Sequence, residues 1–451
     1  MSTRKAAVVG AGQTGATVAL GLLDAGFDVT VYSERAQQEL RDAVPPTGTA
    51  LIFGDALNAE RALGLDTFGD RAPHHEGLHA RLVAPDGSEL LEFDSPFSDF
   101  WGVAVDTRLK ADERLTVFQE RGGRFVVDAV TPASLDGIAA ANDLTLVATG
   151  RSGLSELFPV DPTRSPYDRP QRSVISVAAR GLGFGPEVFG HRGGGTHSAF
   201  TVVSNEGEGW WGPFLHKDAG PVWSFLGWAR PGSEFERRFA TADSAASALR
   251  VVQDLYRDHA EWDLPEVLAL EPIEEDPKSW LRGAVRPVVR EGVAVTSGGH
   301  PVAAIGDAAA AYDPIGGQGA QAGLLYARLL VDAATEHTGE FDADWIRRQY
   351  SRHLAERSDQ ANRFTRIFLG DPEFADIANV LFVAAAVSPV FASTVTDIIK
   401  TPNLIENVRS ERDALAFVSD VTGTDAGELL AGFAPAGRFT RSNYPIASPV
   451  S

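Results

Sequence analysis

A glycine motif close to the N-terminus constrains the fold of this chain most strongly. Gly10, Gly12 and Gly15 follow the apolar run of residues 6–9 at the spacing G-x-G-x-x-G, and a helical apolar pattern continues to about residue 25. In a strand-turn-helix context these glycines allow a tight turn, close approach of a phosphate and close packing of the helix on the sheet. The pattern predicts a Rossmann-type dinucleotide site whose helix N-terminus faces a pyrophosphate.

The second strand of this unit, residues 29–32, is followed by the residues expected to hold a ribose. An acidic side chain at this point commonly bonds the ribose hydroxyls. Here Ser33 follows the strand directly and Glu34 comes one position later, with Arg35 beside it. We therefore divide the expected ribose contact between Ser33 and Glu34. A glycine-rich turn in an α/β fold without a nucleotide is the alternative interpretation.

The rest of the pattern predicts an α/β fold with an inserted β-rich domain and C-terminal helices. A length of 451 residues suggests two or three subdomains. Further segments with strand and helix patterns extend the first unit into a doubly wound parallel sheet, whereas short β segments dominate after about residue 167. The expected boundaries are residues 1–165 and 285–335 for a discontinuous dinucleotide-binding domain, 166–284 for a substrate-binding β-sheet domain, and 336–451 for helices and a polar tail.

Aromatic residues concentrate in the inserted domain. An inward row of such side chains is either plain core or the lining of a pocket for an apolar substrate, and the sequence leaves both open. The candidate pocket residues are Phe53, Phe200, Trp211, Phe214, Trp223 and Phe225.

Composition excludes several function classes. The net charge is −21 and no run of Lys or Arg is present, which disfavours binding to nucleic acid. Because the chain has no cysteine, disulfides and thiolate nucleophiles are excluded. The ten histidines are scattered, so we expect no metal site. The sequence has no apolar stretch of about 18 residues, and the N-terminus leads into the first strand without a signal peptide pattern. We therefore expect a cytoplasmic protein.

A second glycine-rich loop carries a family resemblance. It follows Gly306-Asp307 and reads Asp313-Pro-Ile-Gly-Gly-Gln-Gly-Ala320. Together with the N-terminal motif it resembles the class A flavoprotein monooxygenase fold, and more narrowly the styrene and indole monooxygenases. The other segments that resemble this family are VTVYSER at 29–35, AVDTRL at 104–109, ERGGRF at 120–125 and SPYDRPQR at 165–172.

The resemblance implies FAD as cofactor and dioxygen as co-substrate. It places Pro314, Gly316, Gly317 and Gln318 against the flavin, with no acid or base residue required. It also implies that Arg108 neutralises the pyrophosphate, although an ordinary surface arginine is the alternative. The full set expected to bind FAD is Gly10, Gly12, Gln13, Thr14, Gly15, Ser33, Glu34, Arg35, Arg108, Val130, Thr149, Gly150, Gly306, Asp307, Pro314, Gly317, Gly319 and Ala320.

The resemblance further implies a two-component enzyme. Thr149-Gly150-Arg151 stands where single-component hydroxylases of this fold carry a DG motif, and no second G-x-G-x-x-G stands in a strand-turn-helix context. We therefore expect reduced FAD from an NADH-dependent flavin reductase, a flavin hydroperoxide, and oxygenation of a small apolar aromatic substrate such as styrene, indole or an aryl sulfide. The alternatives are a single-component NAD(P)H-dependent hydroxylase, a flavin dehydrogenase or oxidase, and a non-catalytic binding protein. The sequence leaves a homodimer open.

Overall fold

The computed structural model describes residues 3–151, 153–431 and 433. The polar tail predicted after residue 434 lies outside the described residues. The strands are β1 (Lys5–Val9), β2 (Asp28–Ser33), β3 (Leu51–Phe53), β4 (His74–His75), β5 (Gly77–Val83), β6 (Glu89–Pro96), β7 (Gly102–Ala104), β8 (Arg124–Val127), β9 (Leu144–Val147), β10 (Ser173–Arg180), β11 (His197–Val203), β12 (Gly207–His216), β13 (Gly220–Ala229), β14 (Glu271–Pro272), β15 (Trp280–Ala284), β16 (Val288–Val289), β17 (Val293–Val295), β18 (Pro301–Ala304) and β19 (Ala310–Ala311).

Helices pack around these strands and continue past them to the C-terminal end of the described chain. They are α1 (Gln13–Asp24), α2 (Gln37–Asp42), α3 (Gly54–Ala62), α4 (Thr107–Glu120), α5 (Pro132–Ala140), α6 (Glu234–Phe239), α7 (Ala245–His259), α8 (Leu264–Ala269), α9 (Gly319–Glu336), α10 (Ala343–His353), α11 (Asp359–Leu369), α12 (Ala375–Val387), α13 (Pro389–Lys400), α14 (Glu411–Thr422) and α15 (Ala426–Ala431). In the described part of the chain, none of them combines the length and apolar character needed to span a membrane.

The first sheet confirms the predicted doubly wound unit. Its strand order is β17-β18-β9-β1-β2-β8. Every neighbouring pair is parallel except β17 with β18, which is antiparallel. The central strands β1 and β9 are buried apolar runs, as expected for strands covered by helices on both faces. Because β18 and α9 follow the inserted strands in the chain, this unit is discontinuous.

The second sheet is larger and mostly antiparallel. Its order is β14-β10-β13-β12-β11-β5-β6, with β15 also paired to β10. The hairpin β5–β6 turns at Pro85-Asp86-Gly87, and β5 pairs in parallel with β11. The hairpin therefore belongs to this sheet, although it lies within residues 1–165. Pairing with a strand more than 100 residues away leaves no local signal in the sequence.

The two faces of the second sheet have different neighbours. Successive side chains of a strand point to opposite faces, so Trp210 and Trp211 separate. Trp211 packs in a core with α6 and α7, whereas Trp210 packs on the face covered by helices α11, α12 and α13. This second face also borders the main cavity of the protein.

Candidate functional site

Segments that follow strands of the first sheet, together with residues of the second sheet, line a cavity of about 970 Å³. A volume of this size lies at the upper end of the range found for small-molecule and cofactor sites. The cavity brings together most of the residues predicted to bind FAD or substrate. These are Gly12, Gln13, Thr14, Gly15, Gly150, Gly306, Asp307, Pro314, Gly316, Gly317, Gln318, Gly319, Ala320, Phe53 and Phe200.

The three glycines of the N-terminal motif have distinct roles. A Cβ at Gly10 would lie 2.3 Å from the Ala148 carbonyl oxygen, and one at Gly15 would lie 2.0 Å from the Gly10 carbonyl oxygen. These positions therefore require glycine for close packing. At Gly12, by contrast, a Cβ would meet no atom of the described residues within 4 Å. The space next to the Gly12 Cα is thus open to the cavity. It lies at the N-terminus of α1, where unpaired N–H groups favour an anion.

The GD turn packs directly against this helix. Gly306 has φ +59°, and a Cβ there would lie 3.3 Å from Thr14 Oγ1. The adjacent Asp307 side chain is half exposed, at 50%, and faces Arg151, whose Nε is 3.8 Å from Asp307 Oδ2. The N-terminal glycine motif and the GD carboxylate consequently meet at one end of the cavity.

The loop between Asp313 and α9 forms the middle of the cavity wall. Gly317 has φ +62°, and no described atom would lie within 4 Å of a Cβ there, whereas a Cβ at Gly316 would meet Thr365 Oγ1 at 2.5 Å. One carboxylate oxygen of Asp313 accepts a hydrogen bond from Ile315 N, and burial raises the pKa of Asp313 to about 7. The loop therefore exposes the backbone of Gly317 to the cavity while its other side is packed.

The side chain of Gln318 anchors this loop rather than acting as a free polar group. Its Nε2 donates to Gly316 O at 2.8 Å and to Ile399 O at 3.0 Å, and its Oε1 accepts from Arg357 Nη2 at 2.6 Å. All of its strong hydrogen-bonding atoms are occupied. We infer that Gln318 holds the loop in position.

The opposite end of the cavity is apolar. Its aromatic side chains come from several elements, namely Phe53, Phe97, Phe200, Trp210, Trp228, Phe364 and Phe368. Trp210 and Trp228 belong to the face of the second sheet that carries Phe200, which is the alternate set to Trp211 and Phe225. The apolar end can therefore enclose an aromatic ring.

One hydroxyl group stands in this apolar region. Ser198 lines the cavity, and its Oγ lies 2.9 Å from His75 Nδ1. His75 Nε2 is 2.7 Å from the Pro213 carbonyl oxygen, which can only accept, so Nε2 carries the proton and Nδ1 accepts from Ser198. Burial lowers the pKa of His75 to about 4, which keeps the ring neutral. Ser198 is left with an acceptor lone pair toward the cavity.

Several residues expected to bind FAD do not line the cavity. Glu34 is exposed and its carboxylate lies 2.8 Å from Arg35 Nη1, while Ser33 Oγ accepts from Arg35 N. Gly10 lies beneath the turn, and Val130 packs against the first core. Thr149 is likewise absent from the lining residues.

Arg108 also lies outside the cavity lining. It is only 4% exposed, and its guanidinium donates to Asp106 at 2.7 Å and to Asp276 at 2.6 Å. These two carboxylates satisfy its charge inside the protein. The position expected to neutralise a pyrophosphate is thus engaged in a buried ion pair.

Four of the six aromatic pocket candidates are core residues. Trp211, Trp223 and Phe225 pack with α6 and α7 on the far face of the second sheet. Phe214 belongs to a small separate core with Val222 and Ile273. The strand period could have separated the two sets, but only if the register of β12 had been predicted.

FAD fits the polar end of the cavity. Open space lies above Gly12 and Gly317, two positions where a side chain would fill the cavity without touching the described protein. The N-terminus of α1 supplies donors for a pyrophosphate, and Asp307 supplies an acceptor for ribityl or ribose hydroxyls. These features suit a dinucleotide with a planar ring against the 314–320 loop.

Comparison with known proteins agrees with this geometry. The family described as "Styrene monooxygenase A putative substrate binding domain" matches residues 150–265. The chain is similar to styrene monooxygenase StyA of Pseudomonas fluorescens, with 26% identity over 84% of this chain and 89% of the relative.

Solved structures show the same fold at low sequence identity. A flavoprotein/dehydrogenase from Cytophaga hutchinsonii superposes with a TM-score of 0.61 at 13% identity, covering 96% of this chain and 100% of that one. The flavin-dependent brominase Bmp2 superposes with a TM-score of 0.55 at 15% identity, covering 95% and 97%. The comparisons confirm the predicted resemblance to the styrene monooxygenases and the predicted flavoprotein fold.

Proposed function

We propose that this chain, a styrene monooxygenase-like flavin-dependent monooxygenase, binds FAD and oxygenates a small apolar aromatic compound. One observation carries the proposal: a single cavity has a glycine-lined polar end and an aromatic end, and the 314–320 loop lies between them. The polar end suits a dinucleotide and the aromatic end suits an apolar substrate. A flavin ring against the loop would then stand next to the substrate.

The residues proposed to hold FAD are those whose backbone faces the cavity. Gly12, Gln13 and Thr14 would contact the pyrophosphate through N–H groups at the start of α1. Asp307 would accept hydrogen bonds from sugar hydroxyls. Gly317 and Gly319 would present backbone to the flavin ring, because their Cβ positions face open space or only a distant Tyr312 contact at 3.9 Å.

Bound reduced FAD would supply the reaction with dioxygen and the oxygen atom that reaches the substrate. The protein's part is orientation and exclusion of water. Phe200, Trp210 and Trp228 would enclose the substrate ring, and Ser198 would accept one hydrogen bond from a polar hydrogen near it. This assignment favours aryl alkenes, indoles and aryl sulfides over charged aromatic acids, since the polar side chains described at the aromatic end are neutral hydroxyls such as Ser198.

We further propose that reduced FAD comes from a separate NADH-dependent flavin reductase. Support comes from Thr149-Gly150-Arg151 at the position of the DG motif of single-component enzymes. It also comes from the N-terminal G-x-G-x-x-G, because the other segment with this spacing, residues 207–212, lies within strand β12 and opens no helix. Hydride transfer requires a nicotinamide held close to the flavin, and the chain provides no second nucleotide motif to hold it.

Anaerobic mixing of the FAD-loaded protein with NADH tests this proposal. We expect the oxidised flavin spectrum to persist with NADH alone and to bleach when a catalytic amount of flavin reductase is added. Rapid bleaching by NADH alone would identify a single-component hydroxylase. Bleaching by an organic substrate without NADH would instead identify a dehydrogenase or oxidase of the same fold.

A further inference from the structure

The polar end of the cavity is positively charged in a strongly acidic protein. Among the described residues that line it, the charged side chains are Arg151, Arg282, Arg286 and Arg290 against the single carboxylate of Asp307. The chain as a whole has a net charge of −21. Such a local reversal of sign needs a cause, because like charges placed together destabilise a fold unless a ligand compensates them.

We infer that Arg151, Arg286 and Arg290 form an anion-binding wall that recognises the pyrophosphate of FAD. This inference rests on the proposed function and extends it to residues that neither glycine motif contains. The name arginine wall is used below for these three residues.

Arg282 is excluded from the wall because its guanidinium is already bound. Its Nη1 donates to the Ala242 carbonyl at 2.9 Å and also to the Ala240 carbonyl. It thus ties β15 to the segment after α6. Arg286 differs, since it lines the cavity and forms no side-chain hydrogen bond or ion pair within the described residues.

Arg290 is the most informative member of the wall. Its side chain is 8% exposed and lines the cavity, yet its Nη1 is buried without a hydrogen-bond partner among the described residues. Burial and the neighbouring Arg286 lower the pKa of Arg290. Glu156 and Asp307 attract this guanidinium, but within the described residues neither forms a close ion pair with it. A buried guanidinium without a close counter-ion is costly, so the arrangement is best explained by an external anion.

Asp307 attracts Arg290 but forms no close ion pair with it within the described residues. Its closest cation is Arg151, at 3.8 Å and with both side chains about half exposed, a geometry worth little in water. Arg108 cannot help either, since Asp106 and Asp276 hold its guanidinium. The arginine wall therefore supplies the positive charge that the resemblance assigned to Arg108.

The wall should also affect the rate of FAD capture. Free reduced FAD is an anion, and a protein of charge −21 repels it at long range. A cluster of arginines at the cavity overcomes this repulsion locally and steers the cofactor inward. Such steering weakens as ionic strength rises.

The test compares the protein with the variants Arg286→Gln, Arg290→Gln and the double variant. Arg348→Gln serves as the matched control, because Arg348 is exposed on α10 outside the cavity and its loss changes the net charge equally. Association and equilibrium binding of oxidised FAD and riboflavin are measured by fluorescence at several ionic strengths. Inorganic pyrophosphate is added as a competing probe, and thermal melting checks the fold.

We expect the double variant to bind FAD about tenfold or more weakly, as for loss of charge-assisted hydrogen bonds. Its association rate should lose most of its dependence on salt, while riboflavin binding and the Arg348→Gln control stay within about twofold. Pyrophosphate should compete with FAD in the parent protein only. If Arg290→Gln does not fold, exposed Arg286→Gln provides the same comparison.

The inference would be overturned if FAD affinity were unchanged in folded variants, or if FAD and riboflavin weakened equally. Failure of the parent protein to bind FAD at all would instead contradict the proposed function, so the two outcomes are separable.

Discussion

Arg357 Nη2 donates a hydrogen bond of 2.6 Å to Gln318 Oε1, and both side chains are buried beneath the 314–320 loop. Arg357 also donates to the Lys400 carbonyl at 2.8 Å, which links the loop to the end of α13. The position of the loop thus depends on a residue of the C-terminal region.

Arg357→Met should loosen the loop without emptying the cavity. Leaving buried acceptors unpaired costs about 1–3 kcal/mol of unfolding free energy. We expect that loss in denaturant melts, together with weaker FAD binding and more hydrogen peroxide per product in turnover assays. Arg352→Met is the control, because within the described part of the chain Arg352 is exposed and pairs with Glu356 alone. Equal effects of both variants would contradict the role of Arg357.

Gly12→Val should abolish FAD binding in a folded protein. Gly12 has φ −72° and ψ −177°, which valine adopts, and its Cβ would point into open space. The isopropyl group would then occupy the space of the pyrophosphate. We expect a loss of affinity of about a hundredfold or more, roughly 2.7 kcal/mol, in fluorescence titration. Gly137→Val on α5 is the control, and normal FAD affinity in folded Gly12→Val would refute the cofactor assignment.

The two faces of the second sheet can be separated by two tryptophan variants. Trp223 is fully buried and packs in the core with α7, so Trp223→Ala should cost about 3–5 kcal/mol of unfolding free energy. Trp210 lines the cavity. Trp210→Ala should therefore cost less unfolding free energy than Trp223→Ala but change the apparent KM for an aromatic substrate. A shift in KM for Trp223→Ala at unchanged stability would reverse this assignment.

Stability should fall in acid partly because of His75. Burial lowers its pKa to about 4 in the folded protein, against about 6.5 when unfolded. The unfolded state therefore binds the proton first, and stability present above pH 6.5 is lost as the pH falls toward 4. The shift corresponds to about 3 kcal/mol. Denaturant melts of the parent protein and of His75→Gln give the difference in unfolding free energy at each pH. We expect this difference to shrink as the pH falls across this window. A constant difference would contradict the role of His75.

The local parts of the site could be predicted from the sequence. Gly10, Gly12 and Gly15 act within one strand-turn-helix unit, so their spacing alone fixes their roles. The same holds for Gly317, whose positive φ is a property of its own loop. The structure brings these motifs together at one cavity, as expected for a doubly wound fold.

The remaining parts depend on contacts between distant residues. Arg108 is neutralised by Asp276, which is 168 positions away, and no local pattern shows that partner. The aromatic assignments failed for a similar reason. The faces to which Trp210 and Trp211 point depend on how β12 pairs with β11 and β13, and the sequence alone does not give that register. Arg290 carries no motif and becomes significant only beside Asp307 and Arg286.

The most direct test of the account supplies chemically reduced FAD to the protein under ¹⁸O₂, with an aryl alkene present and both NADH and reductase absent. The account predicts a protein-dependent product that contains one atom of ¹⁸O, because the oxygen atom comes from dioxygen and the reduced cofactor is the only electron source. Consumption of reduced FAD with all oxygen recovered as hydrogen peroxide and no labelled product would contradict it.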